Sequence, residues 1–227
     1  MPPKLATTRY HRQMTSTPKA KKYRSRPDLS LERAASGLVA GIDEAGRGPW
    51  AGPVIAAAVI LDADRLSREL VMGLDDSKKL SPRRRAELFE ILPHYARIGV
   101  GSASAPLIDE INILAATMTA MSRAVSALRV MPDFALVDGN RLPELPCPAR
   151  AVVGGDGLSL SIAAASIVAK VTRDRIMVAL STRYPGFGWD TNAGYGTGQH
   201  RDALEVLGVT RHHRLSYAPI HKILSRN

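Results

Sequence analysis

Residues 38–61 read LVAGIDEAGRGPWAGPVIAAAVIL, two apolar segments on either side of the turn EAGRGPWA. LVAGID and GPVIAAAVIL are built from small and β-branched residues, as strands are when their sheet is covered on both faces. A chain with such strands needs helices to do the covering, which restricts it to layered folds.

The helices follow in the sequence. In DDSKKLSPRRRAELFEIL, Ser81 is an N-cap and Pro82 the first helical residue, with Ala86, Leu88, Phe89 and Leu92 on the apolar face. ARIGVGSAS then alternates like a strand. From Pro106 to Leu128, apolar residues including Ile108, Ile111, Met118, Met121 and Val125 recur at three- and four-residue spacing, so a long core-facing helix is expected. DFALVD and ARAVVGGD read as strands ending on Asp138 and Asp156, and SLSIAAASIVAKVTRDRIMVALSTRY as a helix. An α/β core over about 38–183 is expected, with a small helical lobe over about 184–227 beside it.

Residues 1–27 carry eight Lys and Arg and no acid, so they account for most of the net charge of +10 and leave +2 for the other 200 residues. Without apolar periodicity, the basic lead, taken as residues 1–37, is expected to be disordered and to serve as a loose arm for a polyanion or as a solubilising extension. The longest uncharged runs are 13 residues, at 49–61 and 157–169. A membrane span needs about 18. Cys147 is alone, and the first residues lack the apolar core of a secretory signal, so a reducing cytoplasmic setting and a monomer are expected.

Three apolar segments stop on acids: VAGIDE, FALVD and VVGGD. A single acid after a strand is more often a turn former or helix cap than a catalyst. Several delivered by neighbouring strand ends can converge on one point. Asp43, Glu44, Asp138 and Asp156 brought together would repel one another and raise each other's pKa unless a cation lay among them. Oxygen-only ligation points to Mg²⁺ or Mn²⁺. No Cys/His set has zinc spacing, and no GxxxxGK[ST] phosphate loop occurs. The glycines of GRG allow positive φ or a close backbone approach, with N–H groups free to face an anion or hydroxyl; a plain turn would also explain them.

GIDEAGRGPWAGPV, DSKKLSPRRRAEL, INILAATMTAM, VDGN, GD followed by SLSIAAASIVAKVTRDR, then GYGT and HHRLSYAPI, in this order over about residues 38–222, resemble bacterial ribonuclease HII. The resemblance implies a ribonuclease H-like mixed sheet flanked by helices. It implies an endonuclease that cuts the RNA strand of RNA–DNA hybrids and nicks duplex DNA 5′ to a single embedded ribonucleotide, by two-metal hydrolysis giving 3′-OH and 5′-phosphate ends. By position, Asp43, Glu44, Asp138 and Asp156 resemble the family's metal-binding set. Gly46, Arg47 and Gly48 resemble its backbone sensor of the ribose 2′-OH, and Tyr195 its sugar-stacking tyrosine.

Lys78 and Arg47, inside matched motifs, are candidate phosphate contacts, as are Lys79, Lys170, Arg173, Arg214 and Lys222 with less support. His213, Arg214 and Ser216 are candidates for touching the DNA strand. Trp50, Phe187 and Trp189 could stack on bases, although loop aromatics more often anchor their loop. The chain departs from the family at GDGLS, where Leu158 stands in place of a frequent basic residue. Asp156 and a basic rather than folded lead separate it from ribonuclease HIII. HKILSRN at the carboxy terminus offers no convincing clamp-binding motif, so a sliding clamp stays open as a partner without support from the sequence. The alternative from another class is a non-catalytic hybrid-binding protein on the same fold.

Overall fold

The computed structural model describes residues 26–225. Strand β1 (Val39–Ala45) forms an antiparallel pair with β2 (Val54–Leu61) through the intervening turn. Strand β3 (Ala96–Ala103) pairs antiparallel with β2. Strands β4 (Phe134–Asp138) and β5 (Ala149–Val152) add in parallel on the other side of β1. The order β3-β2-β1-β4-β5 is the mixed sheet the motifs imply.

In chain order the helices are α1 (Ser30–Ala35), α2 (Arg68–Gly73), α3 (Pro82–Ile91), α4 (Ala105–Ser126), α5 (Leu160–Arg183), α6 (Trp189–Asn192), α7 (Gly198–Leu207) and α8 (Ala218–Leu224). Helix α3 starts as its sequence dictates, with Ser81 Oγ accepting from Arg84 N–H and Pro82 in the first turn. Helix α4 is interrupted at Asn112, where φ is +67°, and the Asn112 side chain caps the next turn by accepting from Leu114 and Ala115 N–H.

Strand β2 shows why the apolar runs lack alternation. Ala56, Ala58 and Ile60 pack in the core with α4, whereas Ile55, Ala57 and Val59 pack with α5, α2 and α3 on the opposite face. Helix α5 presses so close to β1 that a Cβ on Gly41 would lie 2.2 Å from the Ser161 carbonyl carbon, so only glycine fits there. A third cluster, with Ala51, Met177, Phe187, Trp189, Leu204 and Ile220, joins the end of α5 to the helical lobe.

Two expectations need correction. The reading of residues 1–37 as disordered extends too far. Residues 1–25 lie outside the described residues, but Asp28 forms an isolated bridge with Ser159, and Glu32 of α1 accepts hydrogen bonds from Ser159 Oγ, Ser161 N–H and Ser161 Oγ. This segment covers the N-terminus of α5, where unpaired N–H groups favour a carboxylate. Asp156 is not at a strand end either. Strand β5 stops at Val152, Gly154 turns left-handed at φ +66°, and Asp156 sits in the short 3₁₀ turn Gly155–Gly157.

Candidate active site

The parallel register sets Ile42 opposite Val137 and therefore carries Asp43 and Asp138 to the same end of adjacent strands. Asp43 is buried at 4 % exposure, with one carboxylate oxygen accepting from Glu44 N–H at 2.7 Å. Burial first, then the neighbouring charges of Glu44 and Asp138, push its carboxyl well above the ordinary aspartate range. Burial raises Glu44 as well, against the opposing Arg47 guanidinium at 3.4 Å. Asp138 Oδ1 accepts from Gly155 N–H at 2.7 Å, which anchors the turn that presents Asp156. Asp156 is pushed up to about 6 by burial and by the charges of Asp76 and Asp138, with Lys78 Nζ at 4.0 Å opposing.

Among the described residues no three His, Cys, Asp or Glu side chains close into a ready-made ligand cage. The donor set itself, all oxygen and electrostatically strained, fits a hard divalent ion. Asp76, an acid beside Asp156, is a neighbour that sequence reasoning missed. It sits in the DSKK stretch and faces Asp156 only because the loop before α3 folds back, held by the hydrogen bond from Ser166 Oγ of α5 to Ser77 Oγ at 2.8 Å.

A cleft of about 300 Å³ is lined by Glu44, Gly46, Arg47, Gly48, Lys78 and Tyr195, among others. It gathers the turn, the candidate basic residue and the tyrosine beside one of the four acids. Larger hollows elsewhere hold none of the four. The turn is held from behind. A Cβ on Gly46, whose φ is +99°, would lie 2.0 Å from Arg173 Nε, and Gly48 is bordered by Tyr195 Cε1, 3.4 Å from a built Cβ. Among the described residues the N–H groups of Gly46, Arg47 and Gly48 donate to no protein acceptor. They are available to a ligand.

Arg173 and Arg214, read from sequence as candidate phosphate contacts, are fully buried and do something else. Arg173 donates to the carbonyls of Pro53, Ala193 and Ala51. Arg214 makes five hydrogen bonds, to the carbonyls of Gly46, Arg47 and Gly52 (twice) and to the Tyr217 hydroxyl. Each hydrogen bond to a charged donor is worth about 1.5–3 kcal/mol, which is how two guanidiniums are held in the interior with no carboxylate partner. His213 is also buried, and Ser216 is engaged by Asp109 through its N–H and hydroxyl, so neither is the free DNA contact expected of it. Phe187 and Trp189 are core residues stacked on one another, and Trp50 packs beneath Gly196. Lys79 and Lys170 are paired with Asp75 and Asp174. Leu158, at the position of the departure, has its side chain exposed.

Among the described residues no helix is long and apolar enough to cross a membrane. A sequence model of the ribonuclease HII family matches residues 40–220. Ribonuclease HII of Paramagnetospirillum magneticum is 62% identical over 194 residues, covering 86% of this chain and 96% of that protein. Its counterpart in Rhodospirillum rubrum is 59% identical over 203 residues, covering 88% and 93%. Among solved structures, ribonuclease H2 from Pyrococcus horikoshii superposes with a TM-score of 0.72 at 29% identity, over 84% of this chain and 98% of that one. The RNase HII of the PCNA:RNase HII complex from Archaeoglobus fulgidus gives 0.67 at 31%, over 80% and 95%. With the family's sequence pattern spanning the whole sheet and its acidic end, the chain belongs to the ribonuclease HII family.

Proposed function

We propose that this protein is an endoribonuclease that hydrolyses the RNA strand of RNA–DNA hybrids and nicks duplex DNA 5′ to a single ribonucleotide, leaving 3′-OH and 5′-phosphate ends. Family membership supports the ribonuclease activity on hybrids. The finer reading rests on one observation: the cleft that contains Glu44 also contains the Gly46–Gly48 turn with its unengaged N–H groups and the exposed ring of Tyr195.

Asp43, Glu44, Asp138 and Asp156 would hold two divalent ions, Mg²⁺ or Mn²⁺. Such ions, when bound, supply Lewis-acid activation of a water and stabilisation of the leaving 3′-oxygen. The raised carboxyl pKa values of Asp43 and Asp156 mean that these acids resist full ionisation by themselves, so a cation would be favoured there as much by relief of repulsion as by attraction. Gly46, Arg47 and Gly48 present backbone donors to the ribose 2′-OH, the group by which a protein tells RNA from DNA. Arg47 and Lys78, both exposed at the cleft, would take the phosphates, and the exposed Tyr195 ring the adjoining sugar.

The deciding measurement uses a duplex with one ribonucleotide, Mg²⁺, and Asp43→Asn. Loss of nicking with retained hybrid binding is expected. Wild-type nicking by the variant would overturn the catalytic assignment of Asp43, hybrid binding without nicking by the wild type would favour the non-catalytic alternative, and equal cutting of an all-DNA duplex by the wild type would remove the ribonucleotide specificity.

A further inference from the structure

His200 and His213 lie in the lobe, outside the acidic cleft, and are buried at 0 % and 1 % exposure. Their ring nitrogens form one continuous chain whose protons are fixed by neighbours that can play only one role. Thr210 N–H donates to His213 Nδ1 at 2.8 Å, so that nitrogen carries no proton. The proton of His213 is therefore on Nε2, which lies 3.1 Å from His200 Nε2. Trp189 Nε1–H, a donor only, also approaches His200 Nε2, at 3.2 Å. His200 Nε2 must then be the acceptor, and the His200 proton is on Nδ1, 2.9 Å from the carbonyl oxygen of Tyr195.

A second proton on either ring would set N–H against N–H, so both imidazoles are neutral. Burial agrees: it lowers His200 and brings His213 down to about 4.

The chain runs in one direction, from Thr210 to Tyr195, and it ends where the fold leaves least slack. The Tyr195 carbonyl also accepts from Thr197 N–H, and Thr197 Oγ1 caps α7 by accepting from His200 N–H. On the next residue, a Cβ at Gly196 would strike the Trp50 ring at 2.1 Å. Backbone on both sides of Tyr195 is thereby fixed, while its side chain stands 51 % exposed beside Gly48.

We propose that the His200–His213 pair is a positioning device for Tyr195, a directional chain of neutral imidazoles that sets where the Tyr195 ring meets Gly48 and hence how the cleft takes the sugar next to the cleaved bond. Neither histidine touches substrate. The proposal rests on Tyr195 being a substrate contact, the reading given above. An imidazole suits the task because it accepts at one nitrogen and donates at the other, relaying orientation across the gap between Thr210 and Tyr195 that no hydroxyl spans.

The test has two parts on the full chain. Long-range ¹H–¹⁵N NMR of the ¹⁵N-labelled wild type at neutral pH should show the Nε2–H form of His213 and the Nδ1–H form of His200. The opposite form on either ring, or a charged ring, overturns the chain whatever the variants do. Kinetics on the single-ribonucleotide duplex then compare His200→Leu, His200→Asn and Tyr195→Ala. His200→Leu should lower kcat/KM about tenfold, the double variant with Tyr195→Ala should lose no more than the worse single one, and His200→Asn, whose amide can replace the Nδ1 donor, should recover most of the loss. Additive losses, or no recovery by Asn, overturn the positioning role. Wild-type kinetics from Tyr195→Ala overturns the substrate-contact reading itself, and the proposed role with it, a failure distinguishable from wrong tautomers.

Discussion

Arg214 Nη1 donates to the Arg47 carbonyl at 2.8 Å from a fully buried position, while its other nitrogens take the carbonyls of Gly46 and Gly52. The turn's acceptors are thus consumed from inside and its N–H groups are left for the cleft. A phosphate contact would make the charge of Arg214 what matters; a brace makes its fork geometry what matters. Arg214→Lys keeps the charge and loses the fork. We expect it to lower the preference for a ribonucleotide over deoxyribonucleotide about tenfold or more, in line with about 1–3 kcal/mol for buried acceptors left unpaired. The slope of log affinity against log salt should stay at the wild-type value, because no phosphate contact is lost. A shallower slope would return Arg214 to the role of a phosphate ligand.

Gly46 and Gly48 separate by the same geometry. A methyl at Gly46 meets Arg173 Nε at 2.0 Å on a backbone of φ +99°, so Gly46→Ala should destabilise the protein by more than about 2 kcal/mol in thermal or denaturant unfolding. At Gly48 the nearest atom is Tyr195 Cε1, at 3.4 Å. Gly48→Ala should fold with near wild-type stability and still bind Mn²⁺, but choose RNA over DNA less well. Equal damage to metal binding and to selectivity would show that the turn does not divide those tasks.

Much of this site was readable in the chain before any fold was known, and the reasons differ by residue. Asp43, Glu44 and Asp138 were legible because buried strands leave apolar runs, and an acid at the end of such a run stands out. Asp156 stands out in the sequence in the same way but lies one turn past the strand end; the two glycines of VVGGD, one of them left-handed, are the signal that β5 stops early. Asp76 and Glu32 were missed because their partners, Asp156 and Ser159–Ser161, are distant in sequence. Arg173, Arg214 and His213 were read as exposed groups by residue type. Their burial depends on carbonyls and ring nitrogens that only tertiary structure delivers, and no local pattern announces it.

The acidic group should weaken the metal-free fold. The folded-state pKa of Asp156 is raised from 3.8 to about 6, so its contribution to stability is present below about pH 4 and is lost as pH rises through 6. At neutral pH that loss amounts to up to about 3 kcal/mol, at 1.36 kcal/mol per unit. Buried His213, lowered to about 4, acts in the opposite sense over an overlapping window, its stability falling as pH drops from about 6.5 towards 4. A difference measurement removes the histidine. In EDTA, Asp156→Asn should melt above the wild type at pH 7.5, with the gap shrinking towards pH 4 and closing on addition of Mg²⁺. A wild type that melts higher throughout in EDTA would mean the carboxylate repulsion has been overrated.

The amino-terminal segment offers a last separation. Seven of its eight cations precede residue 26, whereas Asp28 and Glu32 brace the Gly155–Ser161 stretch that presents Asp156, Glu32 through three hydrogen bonds. Removing residues 1–25 should therefore weaken hybrid binding and flatten its salt dependence, while leaving cleavage at saturating substrate unchanged. Glu32→Ala should do the reverse. It leaves Ser159 and Ser161 without their shared acceptor and frees the turn before α5, so kcat should fall several-fold and the Mg²⁺ concentration for half-maximal rate should rise, with the salt slope untouched. A truncation that lowers kcat as Glu32→Ala does would show that the charged arm and the brace act as one unit.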